Sequence, residues 1–250
     1  MSVLVEKANG VTTLRLNRPE KRNAFTMEMV AQLHAEILQT MEDQDSRCLV
    51  IEGQGDHFCA GRDLQSFGGQ LPHEELVAAD SQWAAIFRAL DQGDLPSVAV
   101  VRGCAFAGGF TLAMGCDFVL ADVSAQFQVS EMRHGFPAAI NTPVLTKLLG
   151  PRQALELAIL GETIAAERLA AMGLINRLCD NAAALNQQAE AFIQTIVQRD
   201  KIAVAQTKQL HRATVQAGLS DALNMGALVN TQVALEGKFA RAGQGLSKSN

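Results

Sequence analysis

The stretch VRGCAFAGGFTLAMGCDFVLA, Val101 to Ala121, decides how this chain is read. An apolar strand over Val98–Val101 is expected to feed a Gly-rich turn, Gly103–Gly109. A short helix then starts near Gly109 and runs to Met114, and a further strand fits Phe118–Ala121. Ala107-Gly108-Gly109 puts small residues where the helix begins, so backbone can approach a ligand with no Cβ in the way. A helix N-terminus also supplies N–H donors outside its own ladder and a partial positive charge.

A similar arrangement stands upstream in IEGQGDHFCAGRDLQSF, Ile51 to Phe67. Cys48–Glu52 reads as a compact apolar strand, closed by the loop Gly53-Gln54-Gly55-Asp56, and Ala60-Gly61 lets backbone approach closely at the next turn. Two such turns facing one point could bind an oxyanion. Two turns needed only for close packing would have the same spacing, so spacing alone does not choose. Neither G-x-G-x-x-G nor G-x-x-x-x-G-K-[ST] occurs, so ordinary dinucleotide and phosphate motifs do not fit.

Outward from these turns, Val3–Glu6 and Val11–Leu16 read as strands joined by an Asn9-Gly10 hairpin turn. Thr26 is the expected N-cap of a helix from Met27 to about Met41, with Met29, Val30, Leu33, Ile37, Leu38 and Met41 at helical spacing. A second helix fits Glu74–Leu90 and another strand Gln126–Val129. The theme strand, strand, helix thus recurs about every 45 to 50 residues, which suggests stacked ββα turns rather than a doubly wound sheet. From Asn141 to about Phe239 the chain reads helical, apart from a short strand at Leu174–Leu178. A break near Pro137–Pro143 is therefore expected between a mixed core and a helical region.

The chain has 250 residues, 48% hydrophobic and 19% charged, which is ordinary globular composition. Its net charge of −5 argues against a nucleic-acid-binding module. Five scattered cysteines make neither a disulfide framework nor a zinc motif. The opening MSVLVEKANG lacks a basic region ahead of an apolar core, and no apolar run approaches a membrane span. A cytoplasmic, reducing setting is the expectation, with no membrane and no nucleic acid as partner.

Several ordered motifs carry a resemblance. LNRPEKRNA (Leu16 to Ala24), FCAGRDL, GGFTLAMGCD, AQFQVSE and LLGPRQALELAILGETIAAERLAAMGLINRL together resemble the crotonase (enoyl-CoA hydratase/isomerase) family over nearly the whole chain. The resemblance implies an α/β, crotonase-like (ClpP/crotonase) spiral of ββα units with a helical C-terminal region. It also implies a core over 1–190 and a helical oligomerisation region over 191–250, in a homotrimer or dimer of trimers. The substrate would be a coenzyme A thioester, with no cofactor and no metal.

Residue by residue, the resemblance puts an oxyanion hole at the backbone N–H groups of Arg62 and Gly108. One such donor is worth about 3 kcal/mol in the transition state. Ala24, Ala60, Asp63, Leu64 and Gln65 would lie along the adenine and pantetheine, with Lys21 and Arg22 as candidates for the phosphates. Glu131 would be the acid/base. Thr111 falls where relatives carry a first catalytic glutamate, and a threonine can hold a water but cannot serve as base near neutral pH. A lone carboxylate fits a double-bond shift better than standard hydration. Ala139 stands where some relatives place a catalytic aspartate, and no serine occupies Phe106–Gly109 as a nucleophile.

His57 and His134 are read as structural or surface residues, and Cys59, Cys104 and Cys116 as small packing residues. The segment Phe67–Leu90, with Trp83 and Phe87, is the expected pocket wall, its Gly68-Gly69 pair marking mobility. In the tail LEGKFARAGQGLSKSN, Phe239 with Lys238 and Arg241 is a candidate clamp on CoA. Two readings compete with a hydratase or isomerase: a non-catalytic acyl-CoA-binding subunit, and a decarboxylase or thioesterase in the same pocket.

Overall fold

Continuous apolar runs along three parallel strands set the architecture. The computed structural model describes residues 1–67, 72–215, 217–239 and 241. Its first compact unit, Met1–Arg199, holds strands β1 (Val3–Ala8), β2 (Val11–Leu16), β3 (Cys48–Gly53), β4 (Ser97–Val101), β5 (Cys104–Phe106), β6 (Phe118–Asp122), β7 (Gln126–Gln128), β8 (Thr163–Ala165) and β9 (Arg177–Cys179). Its helices are α1 (Met27–Glu42), α2 (Leu64–Phe67), α3 (His73–Gln92), α4 (Gly108–Gly115), α5 (Asn141–Leu148), α6 (Pro151–Leu160), α7 (Ala166–Ala171) and α8 (Ala182–Val197).

One sheet has the order β1-β2-β3-β4-β6-β9 and the other β5-β7-β8. In the large sheet only the β1–β2 hairpin is antiparallel. Successive side chains on a strand point to opposite faces. Leu49 and Ile51 of β3, Ala99 and Val101 of β4, and Val119 and Ala121 of β6 accordingly enter the main core with α1, α3 and α4. Cys48, Val50, Val98, Val100 and Leu120 face the other way, onto Leu185 and Ala189 of α8. Both faces are buried, as parallel sheets require.

The expected helix after Thr26 is present. The Thr26 side chain accepts from the Met29 N–H, and Met29, Val30, Leu33 and Ile37 are buried along one stripe. Helix α4 has no polar face: Gly109 to Met114 are all buried, so it is a core helix.

Each strand–strand–helix turn adds one rung to the small sheet as well as one strand to the large one. Phe25 pairs with Arg62, and Cys59 pairs with Ala105. β5 then pairs with β7, and β7 with β8. This is the stacked ββα arrangement.

The second half departs from the helical expectation. β8 interrupts it and pairs antiparallel with β7, returning to the small sheet after the expected break near Pro137–Pro143. Its three residues bury only Ile164, too short a pattern to show a period of two. The segment Cys104–Phe106, read as part of a turn, is strand β5 because Cys59 and β7 supply partners on either side. The late strand lies at Arg177–Cys179, three residues beyond the expected start at Leu174. Leu174 and Ile175 are buried beside it. Gly68-Gly69 and the tail from 242 onward lie outside the described residues.

A second unit begins at Asp200 and contains α9 (Lys201–Thr214) and α10 (Leu219–Leu235). The Asp200 side chain caps α9 by accepting from the Ala203 N–H at 2.8 Å. Phe239 is exposed. Among the described residues, no helix is long and apolar enough to cross a membrane.

A Cβ on Gly53, at the end of β3, would collide with the carbonyl oxygens of His57 and Phe58 and with Asn23 Nδ2. Gly53→Ala should lose about 3 kcal/mol of stability, measured by urea unfolding, through forced overpacking.

Candidate active site

The site is built where the two Gly-rich turns press together. Cys59 lies beside β5: its N–H donates to Cys104 O and its carbonyl accepts from Phe106 N, both at 2.9 Å. That pairing brings Gly61 against the start of α4. A Cβ on Gly61 would stand 2.9 Å from Ala107 Cβ and 3.4 Å from Gly108 N, and Gly61 also has φ +92. Only glycine meets both demands.

Phe25 orients the next residue. Its N–H donates to Gly61 O and its carbonyl accepts from Asp63 N, each at 2.8 Å. In such a parallel bridge the middle residue, Arg62, directs its own N–H to the opposite edge. Gly108 is the first residue of α4, so its N–H is one of the first-turn donors the helix ladder does not use. The fold therefore brings the Arg62 and Gly108 segments together.

Ala107, the N-cap, has φ 47 and ψ −118, a region a Cβ disfavours. Its carbonyl anchors three donors: Thr111 N at 3.0 Å, Thr111 Oγ1 at 3.1 Å and Asn141 Nδ2 at 3.3 Å. Thr111 is 1% exposed and bonds back into its own helix. This is the usual habit of a helix-interior threonine.

Glu131 opens a 3-10 turn, Glu131–His134, directly after β7. Its Oε1 accepts from Asn141 Nδ2 at 2.8 Å, while Oε2 is buried with no partner among the described residues. Burial pushes the Glu131 carboxyl up from its ordinary value. The Asn141 hydrogen bond and the nearby charges of Arg62 and His134 oppose that rise. A half-buried carboxyl so poised can both take and return a proton. Asn141 gives no signal in the sequence beyond an asparagine at a helix start.

The expected CoA residues are also brought together. Ala60 N donates to Arg22 O at 2.9 Å, laying 21–24 beside 60–65. Lys21 and Arg22 are exposed, as are Leu64 and Gln65. Arg18, which sequence reasoning passed over, clamps this loop pair: it donates to Ala24 O at 2.6 Å and to Asp63 Oδ2 at 3.0 Å. The Arg18 hydrogen bond holds the Asp63 carboxyl below the usual carboxylate range. Asp63 also accepts from Gln65 N at 3.2 Å, so its carboxylate is engaged in building the loop.

Apolar walls complete the site. Phe25 and Trp83 pack at a tilt with centroids 4.8 Å apart, and Trp83 meets Phe87 edge-on at 5.1 Å. A Cβ on Gly108 would lie 3.2 Å from Trp83 and 3.4 Å from Phe25. Trp83 and Phe87 thus flank the site and still pack into the core. His57 has a structural partner, its Nδ1 accepting from Cys104 N at 3.2 Å, and His134 is exposed. The three cysteines beside the turns are buried. Burial pushes the thiols of Cys59 and Cys104 up, away from the reactive thiolate.

Residues 6–242 match the family model described as enoyl-CoA hydratase/isomerase, and the chain belongs to that family. The 1,2-epoxyphenylacetyl-CoA isomerase of Escherichia coli is 36% identical over 184 residues, covering 72% of this chain and 70% of its own length. The mitochondrial enoyl-CoA hydratase of Pongo abelii is 30% identical over 216 residues, covering 86% and 73%. Among solved structures, an enoyl-CoA hydratase of Mycobacterium smegmatis has a TM-score of 0.89 at 29% identity, covering 98% of this chain and 97% of that one. The spiral of ββα units is the crotonase fold.

The raised Glu131 carboxyl has a consequence for stability. The folded state holds this proton more tightly than the unfolded state. Ionisation therefore costs stability as pH rises from the ordinary value near 4.5 through the folded value. Glu131→Gln should melt higher than the parent at pH 7, with the gap closing as pH falls below about 4.5. Calorimetric melts across pH measure this.

Proposed function

We propose that the chain processes acyl-CoA thioesters through an enolate. The Arg62 and Gly108 N–H groups receive the thioester oxygen, and Glu131 moves the proton. The observation that carries this reading is one continuous contact. Gly61 abuts Gly108 N, while Asn141 ties the Glu131 carboxyl to the carbonyl of Ala107, the residue before Gly108. The general acid/base thus stands within one hydrogen-bonded link of a candidate anion-binding helix start.

Charge moves onto the thioester oxygen as a proton leaves Cα, so donors aimed there favour the transition state over the bound ester. The α4 dipole adds in the same sense. Phe25 and Trp83 shield the donors, which strengthens them by lowering the local dielectric. Segments 21–24 and 60–65, with Lys21 and Arg22 exposed at one end, support a CoA arm laid across the paired loops. Proton transfer at a carbon next to the thioester needs one group that can give and take a proton, and the Glu131 carboxyl is such a group.

The test is incubation with a panel of 2-enoyl- and 3-enoyl-CoA esters in deuterated water, with label at Cα and Cγ read by mass spectrometry. Glu131→Gln should lower exchange at least about 100-fold, while CoA-ester binding, followed by Trp83 emission, survives. Exchange at the parent rate in Glu131→Gln would remove Glu131 from the mechanism.

Arg62→Ala separates main chain from side chain. It keeps the N–H, so turnover should stay within about tenfold of the parent. It also deletes a positive charge facing Glu131, so the acid limb of the rate–pH profile should move to higher pH. A loss of turnover as deep as that of Glu131→Gln would assign the chemistry to the guanidinium.

A further inference from the structure

The peptide group joining Ala107 to Gly108 has two ends with different tasks. Its N–H is the Gly108 donor at the start of α4, and its oxygen is the Ala107 carbonyl. At an ordinary helix start that carbonyl takes one backbone donor from the residue four positions on. Here Thr111 N supplies that bond at 3.0 Å, and two side chains add to it: Thr111 Oγ1 at 3.1 Å and Asn141 Nδ2 at 3.3 Å. Thr111 and Asn141 are each 1% exposed, so both added bonds are shielded from solvent. A carbonyl oxygen has two lone pairs, and three donors crowd them.

The backbone gives the added bonds a task. Ala107 has φ 47 and ψ −118, outside the regions an L-residue favours. Turning the 107–108 peptide over, a change of about 180° in ψ, would bring Ala107 close to the left-handed helical region, which is less forbidden. The same turn would point the carbonyl oxygen where the Gly108 N–H now stands. Donors on that oxygen hold the peptide against the turn, and each polarises the group as well, by about 10–30% per bond.

Resting on the acyl-CoA reading above, we infer that Thr111 and Asn141 are positioning residues for the oxyanion donor. The Thr111 hydroxyl and the Asn141 amide fix and polarise the 107–108 peptide, so that its N–H meets the thioester oxygen already aligned. Thr111 acts through the peptide and needs no contact with a reacting atom. A helix-interior threonine commonly bonds back to the carbonyl four residues earlier. What differs here is that this carbonyl belongs to the peptide that carries the candidate donor.

The thioester carbonyl itself reports the strength of that donor. Butyryl-CoA with carbon-13 at the carbonyl is the probe, its stretching band read by infrared difference spectra and its binding by Trp83 emission. The parent protein should move the band to lower wavenumber on binding. Thr111→Val keeps the shape and the backbone N–H but loses the hydroxyl, and should forfeit about a fifth of that shift. Thr111→Ser brings the hydroxyl back and should recover it. Asn141→Ala, which loses the longer bond, should also reduce the shift, and it guards against a valine variant that fails to fold. Deuterium exchange by Thr111→Val should fall about fivefold with ester affinity within about twofold, a loss felt mainly in the transition state. A parent-sized shift in Thr111→Val overturns the role of Thr111, and one in Asn141→Ala that of Asn141; either leaves the enolate reading standing. A reduced shift that Thr111→Ser fails to recover assigns the effect to packing and overturns the role of the hydroxyl. An ester that does not bind the parent, or binds with an unmoved band, overturns the oxyanion reading and this inference together.

Discussion

The close approach of two backbones, at Cys59–Arg62 and at Cys104–Gly109, is the constraint on which the rest depends. Cys59 sits as a rung beside β5, and Gly61 then touches Ala107 and Gly108. Gly109 packs against Cys59 so tightly that any Cβ would strike its carbonyl. The large sheet holds β3 and β4 side by side, and their continuations meet because β3 and β4 end at the same edge. Ala107 keeps a strained backbone at this junction, and its carbonyl gathers three donors that hold it. Strain of this kind persists where surrounding contacts over-determine it.

Polar groups in this junction work against stability. A glutamate with one oxygen buried and unpartnered is a poor choice for a core and suits the proton transfer proposed above. The opposite choice was made a few residues away. Cys59 and Cys104 are inert thiols in a close backbone contact, where small size and tolerance of burial matter most. Arg18 is a third case: its ion pair with Asp63 joins the two loops that would cradle a CoA arm, without itself needing to meet the ligand.

Legibility in the sequence varied with how local the determining contact is. The α1 stripe and its Thr26 cap, the β1–β2 hairpin, and strands β3, β4 and β6 could all be read, since their periods and turn residues lie within a short window. β5 and β8 could not, because three residues become a strand only when partners arrive from elsewhere in the chain. Of the candidate site, Glu131, Arg62 and Gly108 were singled out through motif resemblance alone. Arg18 and Asn141 were not, since their partners lie 45 and 10 residues away respectively.

By itself, the sequence determined where backbone can come close, because glycine and alanine at 60–61 and 107–109 are the permissive residues, and where the core stripes run. Tertiary structure alone decided which side chains meet at the junction. It put Asn141 against Glu131, turned the Thr111 hydroxyl back onto Ala107 and set Trp83 over Gly108. The physical reason is range. Backbone permissiveness and periodicity act over a few residues, whereas a hydrogen bond or ring contact across the core depends on the packing of every element between its partners.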